Sequence, residues 1–316
     1  MGNCIGCARM VAILTDFAGI PHLTIHRRTP EDVRAVSTGT STPQDLVNTE
    51  LYRRRSSIKR ALYTRDLQRL NMVFLKDDGS QQYLDIGCGT GDLTRDVLLE
   101  KCEPCRRLVG VDNSCDMIIY ARKHSSHQKI AYEVLNITGD VSSFIEEYGR
   151  FRRIYSFGAL HWVKDQASFM KNIADLMTPD GECVLKFVGK SAAFDVWRGL
   201  GKKQRWESYT KFLEESIPDS QWVKDQRTHM ENLVLRSGLR QHTCEVLPHE
   251  MKVSAEGLKE FFHAVLLFPE DMSHEDQNDM LDDFVSEMVA FCGDTSKDMV
   301  SFDSSCYVVH ASKGCE

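Results

Sequence analysis

The residues best placed to do chemistry lie in Tyr83–Thr94, YLDIGCGTGDLT, where Gly87, Gly89 and Gly91 alternate between two carboxylates, Asp85 and Asp92. Alternating glycines open backbone angles closed to other residues and let main-chain N–H groups approach a ligand. A dinucleotide turn of the form GxGxxG or GxGxxA rests a pyrophosphate on the helix that follows. Here Asp92 puts a negative charge where that pyrophosphate would sit. Asp85 argues the same way, because carboxylates suit a ligand that carries an ammonium group. Asp112 ends the next apolar run, Leu108–Val111. A carboxylate there, about 20 residues past the turn, accepts hydrogen bonds from both hydroxyls of an adenosine ribose. S-adenosylmethionine offers the ammonium and the ribose without a pyrophosphate; Asp112 suits the ribose of NAD equally, so it is Asp85 and Asp92 together that favour S-adenosylmethionine over NAD.

Further contacts follow along the chain. Cys88 and Asn113 sit in the turn and beside Asp112, and Met117 lies where it could meet the adenine or simply fill core. At Asn136-Ile137 a polar side chain can bond the adenine amino group while the aliphatic one packs on its ring. Asn136 could instead cap a loop. On the acceptor side, SFGALHWV places His161 and Trp162 at the end of an apolar strand, where ligands gather in open parallel sheets.

These residues need a sheet to hold them. Tyr83–Ile86, Leu108–Asp112, Ile130–Leu135, Arg153–Phe157 and Cys183–Val188 read as strands, and helical patterns alternate with them. The βαβαβαβαβ order argues for an α/β fold with a doubly wound parallel sheet. Asn113 or Ser114 can cap the helix carrying Met117, and Ala167–Met177 packs as a helix on the sheet. Later segments read as an aromatic helix over Lys203–Glu215, a helix over Gln226–Ser237, and a sixth strand around Thr243–Leu247. Apolar helices follow at Glu256–Phe268 and Gln277–Phe291, then a last strand at Ser305–Ala311. Helical segments near 195–237 and 255–291 would cap the strand ends and line a greasy pocket or fill core. Residues 1–44, rich in Ser, Thr and Pro without periodicity, read as a poorly ordered extension, and residues 45–316 as the working domain.

Composition narrows the class. The 316 residues carry a net charge of −7, so there is no polyanion-binding footprint, and LYRRRSSIKR reads as a solvated helix face. Nothing approaches the roughly 18 apolar residues of a membrane span, and Met10–Leu14 is too short for a signal-peptide core. The eleven cysteines read as reduced thiols of a cytoplasmic protein. Cys4, Cys7, Cys102 and Cys105 have the pairwise spacing of a zinc site but lie far apart, so no metal is expected. Gly2 suggests an acylated N-terminus, yet Gly6 stands where that pattern wants Ser or Thr.

LDIGCGTG, VDNSCDMI and the closing strand together resemble class I S-adenosylmethionine-dependent methyltransferases. The resemblance implies a Rossmann-like, seven-stranded sheet whose last strand is antiparallel. More narrowly, LYRRRSSIKR, LDIGCGTGDLT, VDNSCDMI and SFGALHWV are similar to arthropod juvenile hormone acid O-methyltransferases. That implies a small apolar acid as substrate, of the farnesoic or juvenile hormone acid type. It also implies cofactor roles for Asp85, Gly87, Gly89, Gly91, Asp112 and Asn136-Ile137, with His161-Trp162 ending the fourth strand. Where that group tends to have Gln after the Tyr of its N-terminal helix, the position counted from Tyr52 is Lys59, which would hold a carboxylate as a point charge. Methylation of another small molecule or a protein side chain, or cofactor binding without turnover, are the alternative readings. Nucleic-acid amino-methylating enzymes usually end the fourth strand with a polar residue, two prolines and an aromatic. Ser156–Trp162 contains no proline, so no nucleic-acid partner is expected, nor any stable membrane association.

Overall fold

Every residue of β1 (Gln82–Ile86) is buried, which is the pattern of a parallel strand covered on both faces. Leu84 and Ile86 point to one face, Tyr83 and Asp85 to the other. The computed structural model describes residues 77–265, 268, 272–294 and 299–314. The expected extension 1–44, the helix from residue 45 and Lys59 lie outside them.

Around β1 the sheet adds β2 (Arg107–Asp112), β3 (Ile130–Val134), β4 (Phe151–Phe157), β5 (Met177–Ser191), β6 (Leu239–Ser254), β7 (Gly293–Asp294) and β8 (Met299–Lys313). The order is β3-β2-β1-β4-β5-β8-β6, with two-residue β7 beside β8. β1 to β5 pair in parallel, and β8 runs antiparallel to both β5 and β6. The expected seven-stranded, doubly wound architecture is therefore present, with β7 as an addition. Strand order reverses between β1 and β4, which opens a crevice at their carboxyl ends.

Connecting elements cover both faces. A widened π turn, Thr94–Leu98, leads into α1 (Leu99–Cys102) on the Tyr83 face. α2 (Cys115–His124) starts at Ser114, whose hydroxyl accepts from the Met117 N–H. After α3 (Ser142–Tyr148), α4 (Gln166–Leu176) packs Phe169, Met170 and Ile173 on the Leu84 face.

A second apolar cluster stands at the carboxyl ends of β5 and β6. α5 (Ala192–Leu200) begins where β5 stops, with Ser191 as its cap, and α8 (Ala255–Val265) begins where β6 stops. With α6 (Thr210–Glu215) and α9 (His274–Cys292) they bury Phe194, Trp197, Leu213, Phe262 and Phe284. α7 (Gln226–Arg236), inside the segment assigned to the cap from sequence, instead sets Met230 and Val234 into the core beneath the sheet. The expected aromatic helix is a 3-10 turn, Gln204–Tyr209, followed by α6; the Trp206 indole N–H donates to Asp283 on α9 at 2.7 Å.

Strand lengths differ most from expectation where a partner strand decides them. β6 runs through Pro248, which an edge strand tolerates because its missing N–H can face outward. β8 runs through the polar Asp303–Ser305 because β6 pairs along its whole length. At the opposite, amino ends of the strands, Arg153 bridges Asp77 at 3.1 Å and Glu182 at 2.9 Å, and His310 reaches Glu182 at 3.0 Å. That network ties β4, β5 and β8 to the residues just before β1.

Candidate functional site

The glycine turn is braced from inside the protein. The amides of Gly87 and Cys88 both donate to the carbonyl of Val111, at 2.8 and 3.0 Å, and the Gly91 amide donates to the Cys88 carbonyl. Two positions accept no other residue. Gly87 has φ +75° and a Cβ there would meet the Ala159 Cβ at 2.1 Å; Gly91 has φ +73° and its Cβ would meet the Tyr132 hydroxyl at 2.6 Å. The turn is bare because Ala159 and Tyr132 press on it.

Three carboxylates converge on this turn. The Gly89 amide donates to Asp112 Oδ2 at 3.0 Å and the Ser114 amide to Oδ1 at 2.9 Å, so both oxygens are fixed. The Thr94 hydroxyl donates to Asp85 Oδ2 at 2.6 Å, and the Thr90 hydroxyl donates to Asp92. All three acids are buried. Burial, reinforced by the Asp112 and Asp92 charges, pushes Asp85 up to about 7 against the lowering hydrogen bond from Thr94. Such a group gains by meeting a cation.

The other cofactor candidates are placed as follows. The Cys88 thiol packs among Ile118, Ala121 and Tyr132, and burial raises its pKa well above the ordinary value. It is a core side chain under the turn, and its amide is the part that shapes the loop. Met117 is buried at the start of α2, and Asn113 is exposed beside Asp112. Asn136 Oδ1 accepts from both the amide and the hydroxyl of Thr138, which closes a loop after β3. Ile137 faces the main core, and its carbonyl accepts from Asn172. The structure thus gathers Asp85, the glycines, Asp92 and Asp112 at one strand end, while Cys88 and Ile137 turn their side chains into the core.

Across the crevice, a 3-10 turn, Leu160–Trp162, follows β4. His161 is buried, with its ring 4.8 Å from that of Trp162. Trp162 meets Phe194 of α5 edge-on at 6.3 Å and packs against the cap cluster, whose rim carries half-buried Tyr209, Phe212 and Phe261. Residues missed from the sequence are the ones that brace the site: Thr90, Thr94, Tyr132, Ala159 and Phe194. Only α5 left a signal, with Ser191 as a cap before Phe194 and Trp197 at helical spacing.

The residues fit S-adenosylmethionine. A buried carboxylate crowded by like charge would suit the ammonium group, and Asp112, held by two backbone amides, would suit the ribose diol. Among the described residues no group of three or more His, Cys, Asp or Glu side chains, the three carboxylates of the turn included, is arranged to hold a metal ion. Cys102, the last residue of α1, and Cys105 beyond it are buried thiols, and no helix among the described residues is long and apolar enough to cross a membrane.

Comparison with known proteins places this geometry. A family described as a methyltransferase domain matches residues 77–233. A juvenile hormone acid O-methyltransferase of Bombyx mori is 30% identical over 192 residues, 60% of this chain and 68% of that protein. The juvenile hormone acid O-methyltransferase of Drosophila melanogaster is 28% identical over 219 residues, 68% of this chain and 73% of that protein. A trans-aconitate 2-methyltransferase of an Enterobacter species is 34% identical over 104 residues, 33% of this chain and 38% of that protein.

Proposed function

The chain belongs to the class I S-adenosylmethionine-dependent methyltransferases, and from that premise we propose that it methylates the carboxylate of a small apolar acid, of the farnesoic or juvenile hormone acid type. The observation that carries the reading is the contact between Trp162 and Phe194, which joins the end of β4 to an aromatic cap. A polar headgroup at His161 and an apolar tail under the cap would both be accommodated. Three relatives whose names carry an acid as methyl acceptor support the choice of a carboxylate.

When bound, the cofactor supplies a methyl group already made electrophilic by its sulfonium. Asp85 and Asp92 would face its ammonium end and Asp112 its ribose, with the glycine turn between them. A carboxylate acceptor, with a pKa of about 4–5, is ionised at neutral pH and needs no general base. The protein's work is then to align the acid, which can lower the barrier by about 7–11 kcal/mol, and to strip water from it. His161 orients the acid through a hydrogen bond, Trp162 walls the pocket, and Lys59 would offer a point charge to the carboxylate.

The test is methyl transfer from labelled donor to farnesoic acid, shorter acids and farnesol. Farnesoic acid should be esterified and farnesol left untouched. His161→Ala should lower kcat by about tenfold or more while donor binding is retained. A protein that binds donor tightly and esterifies no acid would overturn the assignment.

A further inference from the structure

The amino ends of the strands carry a second concave site, on the edge of the sheet opposite the glycine turn. A hollow of about 270 Å³ is lined by Ser80, Gln81, Gln82, Arg106, Arg150, Arg152, Thr178 and Asp180. Three guanidiniums and a single carboxylate line it, in a chain whose net charge is −7. From these residues we propose that the hollow binds a phosphate group.

The argument rests on how the arginines are held. Arg152 is balanced by Asp180 at 3.4 Å, Glu182 at 3.4 Å and Asp77 at 3.8 Å. Arg106 and Arg150 are held by neutral oxygens instead. Arg106 Nη2 donates to Gln82 Oε1 at 2.7 Å, and Arg150 Nε donates to the Asp175 carbonyl at 3.0 Å. These bonds fix the two guanidiniums without cancelling their charge. Gln82 makes the arrangement rigid: it is buried, and its amide nitrogen donates to the carbonyls of Tyr148 and Arg150 at 2.6 and 2.9 Å. The same Oε1 accepts from Arg107 Nε at 2.7 Å, so two arginines converge on one acceptor. Burial first, and then the neighbouring Arg106 charge, lower the Arg107 pKa against the opposing effect of Tyr148 and Glu147.

An acceptor with several oxygens and two charges suits such a place, because fixed guanidinium forks bind phosphate oxygens pairwise. Ser80 and Thr178 stand on the same lining, the Thr178 hydroxyl donating to Asp180 at 3.1 Å. None of these residues belongs to the methyl-transfer crevice, so occupancy here is separate from donor binding.

Titration calorimetry of the full chain with inorganic phosphate, at chloride-matched low ionic strength and pH 7.5, tests the proposal. Glucose 6-phosphate and adenosine monophosphate in parallel distinguish a free phosphate from a phosphorylated small molecule as the natural source. One saturable site is expected for at least one of the three, with a dissociation constant of about 1 mM or tighter. The Arg106→Gln/Arg150→Gln double variant should weaken it by about tenfold or more, the scale of lost charge-assisted hydrogen bonds. Arg150→Ala, whose side chain holds only a carbonyl, serves as a milder variant, and donor binding reports that each variant is folded. Arg236→Gln, an exposed residue on α7, should leave phosphate binding unchanged. Absence of saturable heat with all three probes, or equal binding by wild type and the folded double variant, would overturn the site.

Discussion

The Thr94 hydroxyl donates a 2.6 Å hydrogen bond to the Asp85 carboxylate across the whole glycine turn. That bond favours the ionised acid, but burial and the Asp112 and Asp92 charges outweigh it and hold Asp85 near 7 against an ordinary 3.8. Between those two values the folded protein keeps a proton that the unfolded chain has released. Through this group, stability is therefore fullest below about pH 4 and is lost as pH rises through 7. Urea unfolding of the donor-free protein between pH 5.5 and 8 should show the decline, and Asp85→Asn should flatten it. An ammonium group beside Asp85 would draw its pKa down, so donor binding at pH 7 should release about half a proton. Calorimetry in two buffers of different ionisation heat reads that release directly. An equal release from Asp85→Asn would place the proton elsewhere.

Gly91 is fixed by Tyr132. Its φ of +73° is costly for any other residue, and a Cβ would lie 2.6 Å from the Tyr132 hydroxyl and 2.7 Å from the ring. Gly91→Ala should cost about 2–4 kcal/mol, backbone strain and overlap together. Tyr132→Leu is costly alone because the hydroxyl donates to the carbonyls of Gly91 and Ser125. In combination it makes room for the new methyl. The double variant should therefore cost about 1 kcal/mol less than the sum of the single changes. Strict additivity in urea unfolding would mean that backbone strain alone makes Gly91 necessary.

The sheet was legible in the sequence wherever apolar runs ended at a carboxylate or a glycine. Asp85, Gly87, Asp112 and the strands beneath them could be read from type and spacing, because local sequence makes both the turn and its charge. β6 and β8 were read too short, since pairing with each other, and not their own apolar content, extends them through Pro248 and Asp303–Ser305. The turn's glycines were legible as a tight turn after a strand, but their packing reason was not. Tyr132 lies 41 residues from Gly91, and nothing in the spacing announces that the two touch. Cys88 shows the converse: a residue inside a motif whose side chain serves the core.

The proposed acceptor site makes Trp162 a gauge of chain length. Its ring meets Phe194 at 6.3 Å and 88°, an edge-to-face pair worth about 0.5–1.5 kcal/mol beyond buried area. The same ring lies 4.8 Å from the buried His161 imidazole, and Trp162 packs against the cap cluster as Tyr209, Phe212 and Phe261 do. Removing the indole opens the headgroup end of the pocket to the cap and lets water in. On the proposed reading, long apolar acids would span that gap and short ones would not. Trp162→Ala should then lower kcat/KM for farnesoic acid by about tenfold or more, chiefly through KM, and Trp162→Phe should restore most of it. For a short acid such as hexanoic acid, which leaves the cap unused, the loss should be smaller. Steady-state kinetics over a series of acids, with donor affinity measured alongside, supplies the comparison. Equal losses for long and short acids would mean that Trp162 supports the fold of the β4 end and takes no part in holding the tail.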